Sequence, residues 1–188
     1  PMRPERICRE IPKALPANGV VVSDTGHAGM WTGQMLELKP GQRYIRCEGS
    51  LGWGLPGAMG VKCALPDRPV LCFTGDGGLY YHMTEFETAA RHGINLVVVI
   101  NNNSSLNQEI PLVKAAYREK RDDKSGEIWR FSKTADLAKV AEAFGCAAFR
   151  VERPAQLAEL LPKPFAMGKP VVLDCTSEEQ ALAPTQWI

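Results

Sequence analysis

The sequence predicts an α/β fold, a doubly wound and mainly parallel sheet with helices on both faces, and two observations support this prediction. Short runs of apolar and β-branched residues, clearest at 70–74 and 96–100, alternate with segments of helical periodicity. These runs are apolar at nearly every position, which is typical of strands that are covered on both faces in a parallel sheet. The regular alternation of strands and helices further indicates crossover connections between parallel strands.

Each element is predicted from its local pattern. The predicted strands cover residues 20–23, 43–46, 70–74, 96–100, 149–151 and 171–174, and the predicted helices cover residues 3–15, 30–38, 55–65, 84–91, 135–144 and 155–161. Thr84 and Glu87 have the S/T-x-x-E spacing of a capping box, so we expect them to begin the fourth helix. Residues 119–127 form a dense run of mixed charge, which predicts a solvated loop.

Composition limits the kinds of partner that this chain can have. Its 188 residues, of which 45% are hydrophobic and 23% are charged, indicate one soluble globular domain. The 22 basic and 21 acidic residues nearly cancel, so we expect neither nucleic acid nor a membrane as a partner. We find no membrane span and no signal peptide in the sequence. The six cysteines lack zinc-site spacing, so we expect unbridged, buried thiols in a reducing cytoplasm.

Polar residues and glycines follow two neighbouring strands of the predicted sheet. Residues 75–78 are Gly-Asp-Gly-Gly, directly after the strand at 70–74, and the strand at 96–100 runs into three asparagines at 101–103. Because the carboxyl ends of neighbouring parallel strands face one crevice, Asp76 and the asparagines should share a site. Carboxylate and amide oxygens suit Mg²⁺, and glycines let backbone N–H groups approach a phosphate. The sequence therefore predicts a magnesium ion that holds a diphosphate.

This arrangement resembles the cofactor motif of thiamine diphosphate-dependent enzymes, and it is closest to the acetolactate synthase and benzoylformate decarboxylase branch. The resemblance rests on Gly-Asp-Gly at 75–77 followed by Asn-Asn at 102–103. It implies that the whole chain, residues 1–188, is the C-terminal, diphosphate-binding domain with the thiamine diphosphate-binding fold. It also implies that Asp76, Asn103 and the backbone carbonyl of Ser105 are the metal ligands.

Two further stretches carry the same resemblance. Residues 49–56 resemble the family's glycine-rich turn, which implies that the Gly49 carbonyl accepts a hydrogen bond from the 4′-amino group of the cofactor. Leu51 would bend the cofactor into its V shape, so both residues would have catalytic roles. Residues 24–31 resemble the segment that contacts the diphosphate. The cofactor contacts implied in total are Thr25, Gly26, His27, Gly49, Leu51, Gly75, Asp76, Gly77, Gly78, Asn103, Ser105 and Leu106.

The chain departs from the family pattern at three positions. Asn107 stands where the family often has glycine, and asparagine adopts left-handed backbone more readily than most residues. Ala28 replaces a polar residue common in the synthases, and Gly78 stands where serine or alanine is frequent. None of these changes removes a metal ligand, but they leave the substrate class open.

Several single residues have an ordinary structural explanation beside the functional one. His27 and His82 lie near glycine-rich turns and either contact a ligand or serve as satisfied polar residues. Leu51 is either the side chain that bends the cofactor or part of the core. We interpret Trp31 and Trp53 as packing residues.

The resemblance also implies that the site is incomplete in this chain. In the family, a glutamate on a separate pyrimidine-binding domain activates the cofactor, and only one α/β unit is found here. We therefore expect a partner domain or subunit, a full enzyme that is a dimer or tetramer, and no activity from this chain alone.

Three hypotheses follow for the whole protein. It is the C-terminal domain of an acetolactate synthase-like enzyme acting on 2-oxo acids, with which a start at Pro1 instead of Met agrees. Alternatively, it is one subunit of a two-chain decarboxylase resembling sulfopyruvate or phosphonopyruvate decarboxylase. The third hypothesis is a non-catalytic module that binds thiamine diphosphate or a nucleotide, although a G-x-G-x-x-G dinucleotide pattern is missing. Decarboxylation and carboligation are not distinguished.

Overall fold

The computed structural model describes residues 1–47, 49–117 and 128–184, and it confirms the predicted fold class. Six strands form one sheet in the order β2-β1-β3-β4-β6-β5, and every pairing is parallel. The strands are β1 (Val20–Ser23), β2 (Arg43–Arg46), β3 (Val70–Gly75), β4 (Val97–Asn102), β5 (Ala147–Val151) and β6 (Val171–Thr176). The chain runs outward from β1 to β2 and then returns to β3 on the other side of β1. The carboxyl ends of β1 and β3 are therefore where a doubly wound sheet binds ligands.

Helices cover both faces of the sheet, and the sheet separates two hydrophobic cores. The helices are α1 (Pro4–Ala14), α2 (Gly26–Met35), α3 (Gly54–Ala64), α4 (Asp76–His82), α5 (Glu85–Arg91), α6 (Glu109–Ala116), α7 (Leu137–Ala143) and α8 (Pro154–Leu160), with a short 3₁₀ helix at Pro164–Ala166. Strand side chains alternate, so Phe73 lies in the core under α1, α2 and α8, while Cys72 lies in the core under α3, α5 and α7. Trp31 is buried in the first core and Trp53 packs against the second, which confirms their interpretation as packing residues.

The predicted helix at 84–91 is confirmed as α5, but its predicted capping box is wrong, and the helix before it was not predicted. Residues 76–82 form the helix α4, which was not predicted because its two glycines lower helix propensity. Thr84 is not the cap of a capping box, because its backbone is already helical and its side chain makes no capping hydrogen bond. Glu87 instead pairs with Arg91 one turn later. The helix α6 was also not predicted, and α2 begins at Gly26, earlier than expected. The predicted loop at 119–127 lies outside the described residues.

The structure shows the state of the cysteines and the length of the helices. All six cysteines are unbridged, and Cys8, Cys72, Cys146 and Cys175 are buried. Cys63 is exposed and Cys47 is half-buried, so the expectation of buried thiols does not hold for these two. Within the described ranges, no helix has the length and apolar character that a membrane crossing requires.

Candidate functional site

A cavity of about 260 Å³ lies at the carboxyl ends of β1, β3 and β4. Every cofactor contact implied by the sequence lies on its wall, namely Thr25, Gly26, His27, Gly49, Leu51, Gly75, Asp76, Gly77, Gly78, Asn103, Ser105 and Leu106. These residues come from segments far apart in the chain, and the parallel sheet brings them together. Of the two histidines under consideration, only His27 lies on the cavity wall; His82 is exposed and lies beside Gly52.

Asp76 is a buried carboxylate at the start of α4, with 3% of its surface exposed. Its Oδ1 accepts a hydrogen bond from the Gly77 amide at 2.9 Å, and its Oδ2 accepts one from the Ser105 amide at 3.1 Å. Burial raises the pKa of this carboxyl to about 7, because desolvation outweighs the backbone hydrogen bonds that favour the charged form. A cation bound at Asp76 would compensate for that desolvation, so the environment suits a metal ligand.

The three consecutive asparagines at the end of β4 differ in their surroundings. Asn102 is fixed by the fold, because its Nδ2 donates to Asp174 Oδ1 at 2.8 Å and its Oδ1 accepts from the Ser104 amide at 3.2 Å. Asn101 and Asn103 line the cavity instead. Within the described part of the chain, the Oδ1 atoms of both are buried and lack a hydrogen-bond partner. Unsatisfied buried oxygens are costly, and a cation or its bound water would satisfy them.

Ser104 turns the chain so that its neighbours reach the cavity. Its φ of 56° is left-handed, a strained conformation for a residue with a side chain. This turn follows directly on Asn103 and places the Ser105 amide at Asp76 Oδ2. A single carboxylate with neutral oxygens fits Mg²⁺, which fills its remaining positions with water and phosphate oxygens. No cluster of three or more His, Cys, Asp or Glu side chains occurs among the described residues, so they offer no zinc-type cage.

Two positions in the first turn of α4 are closely packed and favour glycine. A Cβ atom on Gly77 would collide with the side chain of Leu106, and one on Gly78 would lie 2.5 Å from Asp24 Oδ2. The backbone of α4 is therefore in close contact with neighbouring segments on two sides. Gly78, a departure from the family pattern, is explained by the nearby carboxylate of Asp24.

Asp24 lies on the cavity wall and was not predicted as a site residue. It is 1% exposed, and its Oδ1 accepts hydrogen bonds from the amides of Thr25 at 2.8 Å and Gly52 at 3.1 Å. Its Oδ2 accepts a hydrogen bond from the Thr74 hydroxyl at 2.9 Å. Asp24 thereby connects the ends of β1 and β3 with the glycine-rich turn. Its position directly after a buried strand, like that of Asp76, is the sequence feature that could have identified it.

The glycine-rich turn depends on left-handed backbone at two positions. Gly49 has a φ of 81° and Gly52 has a φ of 91°, values that favour glycine. The turn is held against β1 because the Gly49 amide donates to the Thr25 hydroxyl at 3.1 Å. Leu51 is half-buried on the cavity wall and belongs to neither hydrophobic core. Its placement therefore favours a ligand-facing role over ordinary core packing.

His27 is a half-buried side chain at the start of α2. Its Nδ1 lies 2.8 Å from Asn107 Oδ1, and burial lowers the pKa of its imidazole. Further residues of the cavity wall that the sequence did not predict as cofactor contacts are Ala28, Asn101, Asn107, Gln108 and Glu109. Most of these side chains are polar, so the cavity offers both hydrogen-bond donors and acceptors to a ligand.

The fold and the cavity define a doubly wound α/β domain with a polar site at the carboxyl ends of its strands, and comparison with known families identifies the family. Residues 24–175 match the family described as "Thiamine pyrophosphate enzyme, C-terminal TPP binding domain". The chain therefore belongs to the thiamine pyrophosphate enzymes, and it is their thiamine diphosphate-binding domain of acetolactate synthase-like type. This confirms the family that the sequence motifs indicated.

Individual relatives agree with this assignment. An acetolactate synthase of Arthrospira platensis is 32% identical over 154 residues, which cover 81% of this chain and 26% of that protein. A probable acetolactate synthase large subunit of Methanococcus aeolicus is 28% identical over 181 residues, covering 93% of this chain and 29% of the relative. A thiamine diphosphate-dependent 4-hydroxybenzoylformate decarboxylase of Rhodococcus jostii RHA1 has the same fold, with a TM-score of 0.80, 20% identity, and coverage of 95% of this chain and 33% of that one. The chain thus spans a third or less of these proteins.

Proposed function

We propose that this chain binds the magnesium-diphosphate end of thiamine diphosphate as one half of the active site of an enzyme acting on 2-oxo acids. One observation carries the proposal: a buried carboxylate and two unsatisfied amide oxygens meet in a single cavity with the glycine-rich turns. This donor set fits a magnesium ion that shares its coordination shell with a diphosphate.

Each part of the cavity wall has a role in this proposal. Asp76, Asn103 and the Ser105 carbonyl hold the metal. The segment from Thr25 to His27 and the first turn of α4 contact the diphosphate. The Gly49 carbonyl and Leu51 orient the pyrimidine ring. When bound, the cofactor supplies a nucleophilic carbon for reaction with the 2-oxo group, and the protein supplies its orientation.

A pyrimidine-binding domain, in the same polypeptide or in a partner subunit, is proposed to complete the site with its glutamate. The surface beside the cavity supports such a partner. The helix α6 buries none of its residues, although Glu109 at its start lies on the cavity wall. Leu112 on α6 is 61% exposed and Tyr81 on α4 is 63% exposed. We infer that these side chains become covered in the complete enzyme, a dimer or tetramer, and that the chain alone is inactive.

The test is calorimetric titration of thiamine diphosphate with Mg²⁺ into this chain combined with the pyrimidine-binding domain. We expect binding that requires Mg²⁺ and that is lost in Asp76→Ala. Asp67→Ala serves as a matched control, since Asp67 is an exposed acidic residue outside the cavity, and it should bind like the wild type. Undiminished binding by Asp76→Ala would contradict the metal assignment. Binding without turnover of any 2-oxo acid would favour a non-catalytic module.

A further inference from the structure

Asn107 lies between His27 and the segment that follows β6, and it bonds to both. It is buried, and its Oδ1 lies 2.8 Å from His27 Nδ1. Its Nδ2 donates to the carbonyl oxygens of Glu179 at 2.9 Å and Ala181 at 3.1 Å. Both ends of the amide group are thus occupied, and the orientation of the amide is decided by its partners.

The two backbone carbonyls fix the chemistry of the contact with His27. Carbonyl oxygens only accept hydrogen bonds, so the atom of Asn107 that faces them must be its amide nitrogen. The amide oxygen therefore faces His27, and because that oxygen also only accepts, His27 Nδ1 must carry a hydrogen. In a neutral imidazole with a protonated Nδ1, Nε2 has a lone pair and no hydrogen.

The surroundings of His27 favour the neutral ring. Burial lowers its pKa, against smaller opposite effects from the hydrogen bond with Asn107 and from the charge of Glu109. The acidic side chains on the described cavity wall are Asp24, Asp76 and Glu109, and no lysine or arginine lies on that wall. The imidazole is therefore neutral at neutral pH, where the tautomer determines what it offers to a ligand.

We propose that Asn107 is a positioning residue that fixes His27 as the Nδ1–H tautomer, so that Nε2 is a hydrogen-bond acceptor at the cavity wall. The identity of the ligand rests on the proposed function. A fully ionised phosphate oxygen has no hydrogen to donate to Nε2. Contact between His27 and the diphosphate therefore requires one proton between them, and His27 selects a singly protonated terminal phosphate or takes up a proton when the diphosphate binds.

Side-chain ¹⁵N NMR of the chain tests the tautomer directly, because the sequence has only three histidines. In the wild type without ligand, we expect His27 to show a protonated Nδ1 and an unprotonated Nε2. Asn107→Leu removes the oxygen that accepts from His27 Nδ1, so this variant should shift His27 toward the Nε2–H form that a free imidazole prefers. An Nε2–H tautomer in the wild type would overturn the proposal. This measurement does not depend on whether any variant folds.

Two further variants distinguish a specific positioning role of Asn107 from a general loss of order in the C-terminal segment. Gln34→Ala removes the bond from Gln34 Nε2 to the Pro184 carbonyl at 2.9 Å, which holds the same C-terminal segment without contact to His27. Its His27 tautomer should match the wild type. Asn107→Asp keeps an acceptor for Nδ1 but loses both bonds to the carbonyls, so it should retain the Nδ1–H form. A changed tautomer in Gln34→Ala, or an unchanged one in Asn107→Leu, would contradict a specific role for Asn107.

Titration with Mg²⁺ and inorganic diphosphate tests the consequence for the ligand. We expect the Nε2 resonance of His27 to move toward that of a protonated nitrogen as the site fills. Saturation with no such movement would refute the proton-sharing contact. Failure of diphosphate to bind at all would count against the proposed function, whereas the tautomer measured without ligand decides the role of Asn107 independently.

Discussion

Replacing Asp24 with alanine should cost much of the stability of this domain, and the structure allows the magnitude to be worked out. Asp24→Ala leaves the amides of Thr25 and Gly52 without their acceptor in a buried site. An unsatisfied buried donor costs about 1–3 kcal/mol, so the two together cost about 2–6 kcal/mol in the free energy of unfolding. Thr74 adds little, because its hydroxyl can donate instead to the Gly75 carbonyl 3.1 Å away.

Asp24→Asn is the matched comparison. Its amide oxygen can still accept both backbone hydrogen bonds, and its NH₂ group can donate to the Thr74 hydroxyl, which then donates to the Gly75 carbonyl. Both backbone amides keep their acceptor, and only the second N–H of the new side chain is left without a partner, so we expect a loss of about 1–3 kcal/mol, smaller than that of Asp24→Ala. The difference between the two variants therefore isolates the two backbone amides from the charge of the carboxylate.

Urea unfolding followed by tryptophan fluorescence measures both variants, with the free energy taken from the linear extrapolation. Asp24→Ala should shift the midpoint strongly at an unchanged slope, and Asp24→Asn should shift it less. Surface substitutions usually change the free energy of unfolding by no more than about 0.5 kcal/mol. If the free energy of unfolding of Asp24→Ala lies within that range of the wild-type value, Asp24 does not hold the strands and the turn together. Equal losses in both variants would show that the charge matters and the amides do not.

Three other outcomes are expected. Gly78→Ala should lose about 1–3 kcal/mol of unfolding free energy, because its Cβ would lie 2.5 Å from Asp24 Oδ2; an unchanged urea midpoint would show that this contact relaxes freely. Ser104→Gly should keep or raise stability by up to about 1 kcal/mol, since glycine relieves the left-handed strain at φ 56°, and a loss above about 1 kcal/mol in urea unfolding would show that the hydroxyl matters more. At about pH 8 a thiol reagent should modify exposed Cys63 in the folded chain and Cys8 only on unfolding, because burial raises the pKa of Cys8 to about 12 and leaves almost no reactive thiolate; mass spectrometry showing equal rates for both would contradict the burial.

The sheet and the grouping of the site residues could be predicted because each depends on a strong and simple rule. Runs such as 96–100 are continuously β-branched or aliphatic, and every strand was placed, although β3, β4 and β6 extend beyond the predicted ends and β5 begins two residues earlier than predicted. Since parallel strands end at one edge of the sheet, Asp76 and Asn103 had to approach each other. Local sequence was sufficient for these parts, because backbone direction alone brings the residues together.

Other parts of the site depend on contacts that local sequence does not contain. Glycines follow Asp76 in the first turn of α4 because Leu106 and Asp24 leave no space for larger residues there, although glycine has low helix propensity. The bond between His27 and Asn107 joins positions 80 residues apart. The capping box at Thr84 had the correct spacing, but the helical backbone that continues from the end of α4 removes the extended conformation that a cap needs.

The asparagine triplet at 101–103 has a consequence for how relatives of this chain are compared. Side chains of a strand alternate in direction, so three identical letters provide two cavity residues and one residue bonded to Asp174. A sequence alignment shifted by one position would match these asparagines equally well. It would, however, align the residue that bonds to Asp174 with a residue that lines the cavity. Comparisons across this triplet are therefore safe only when the strand register, fixed by the pairing of Asn102 with Thr176, is matched first.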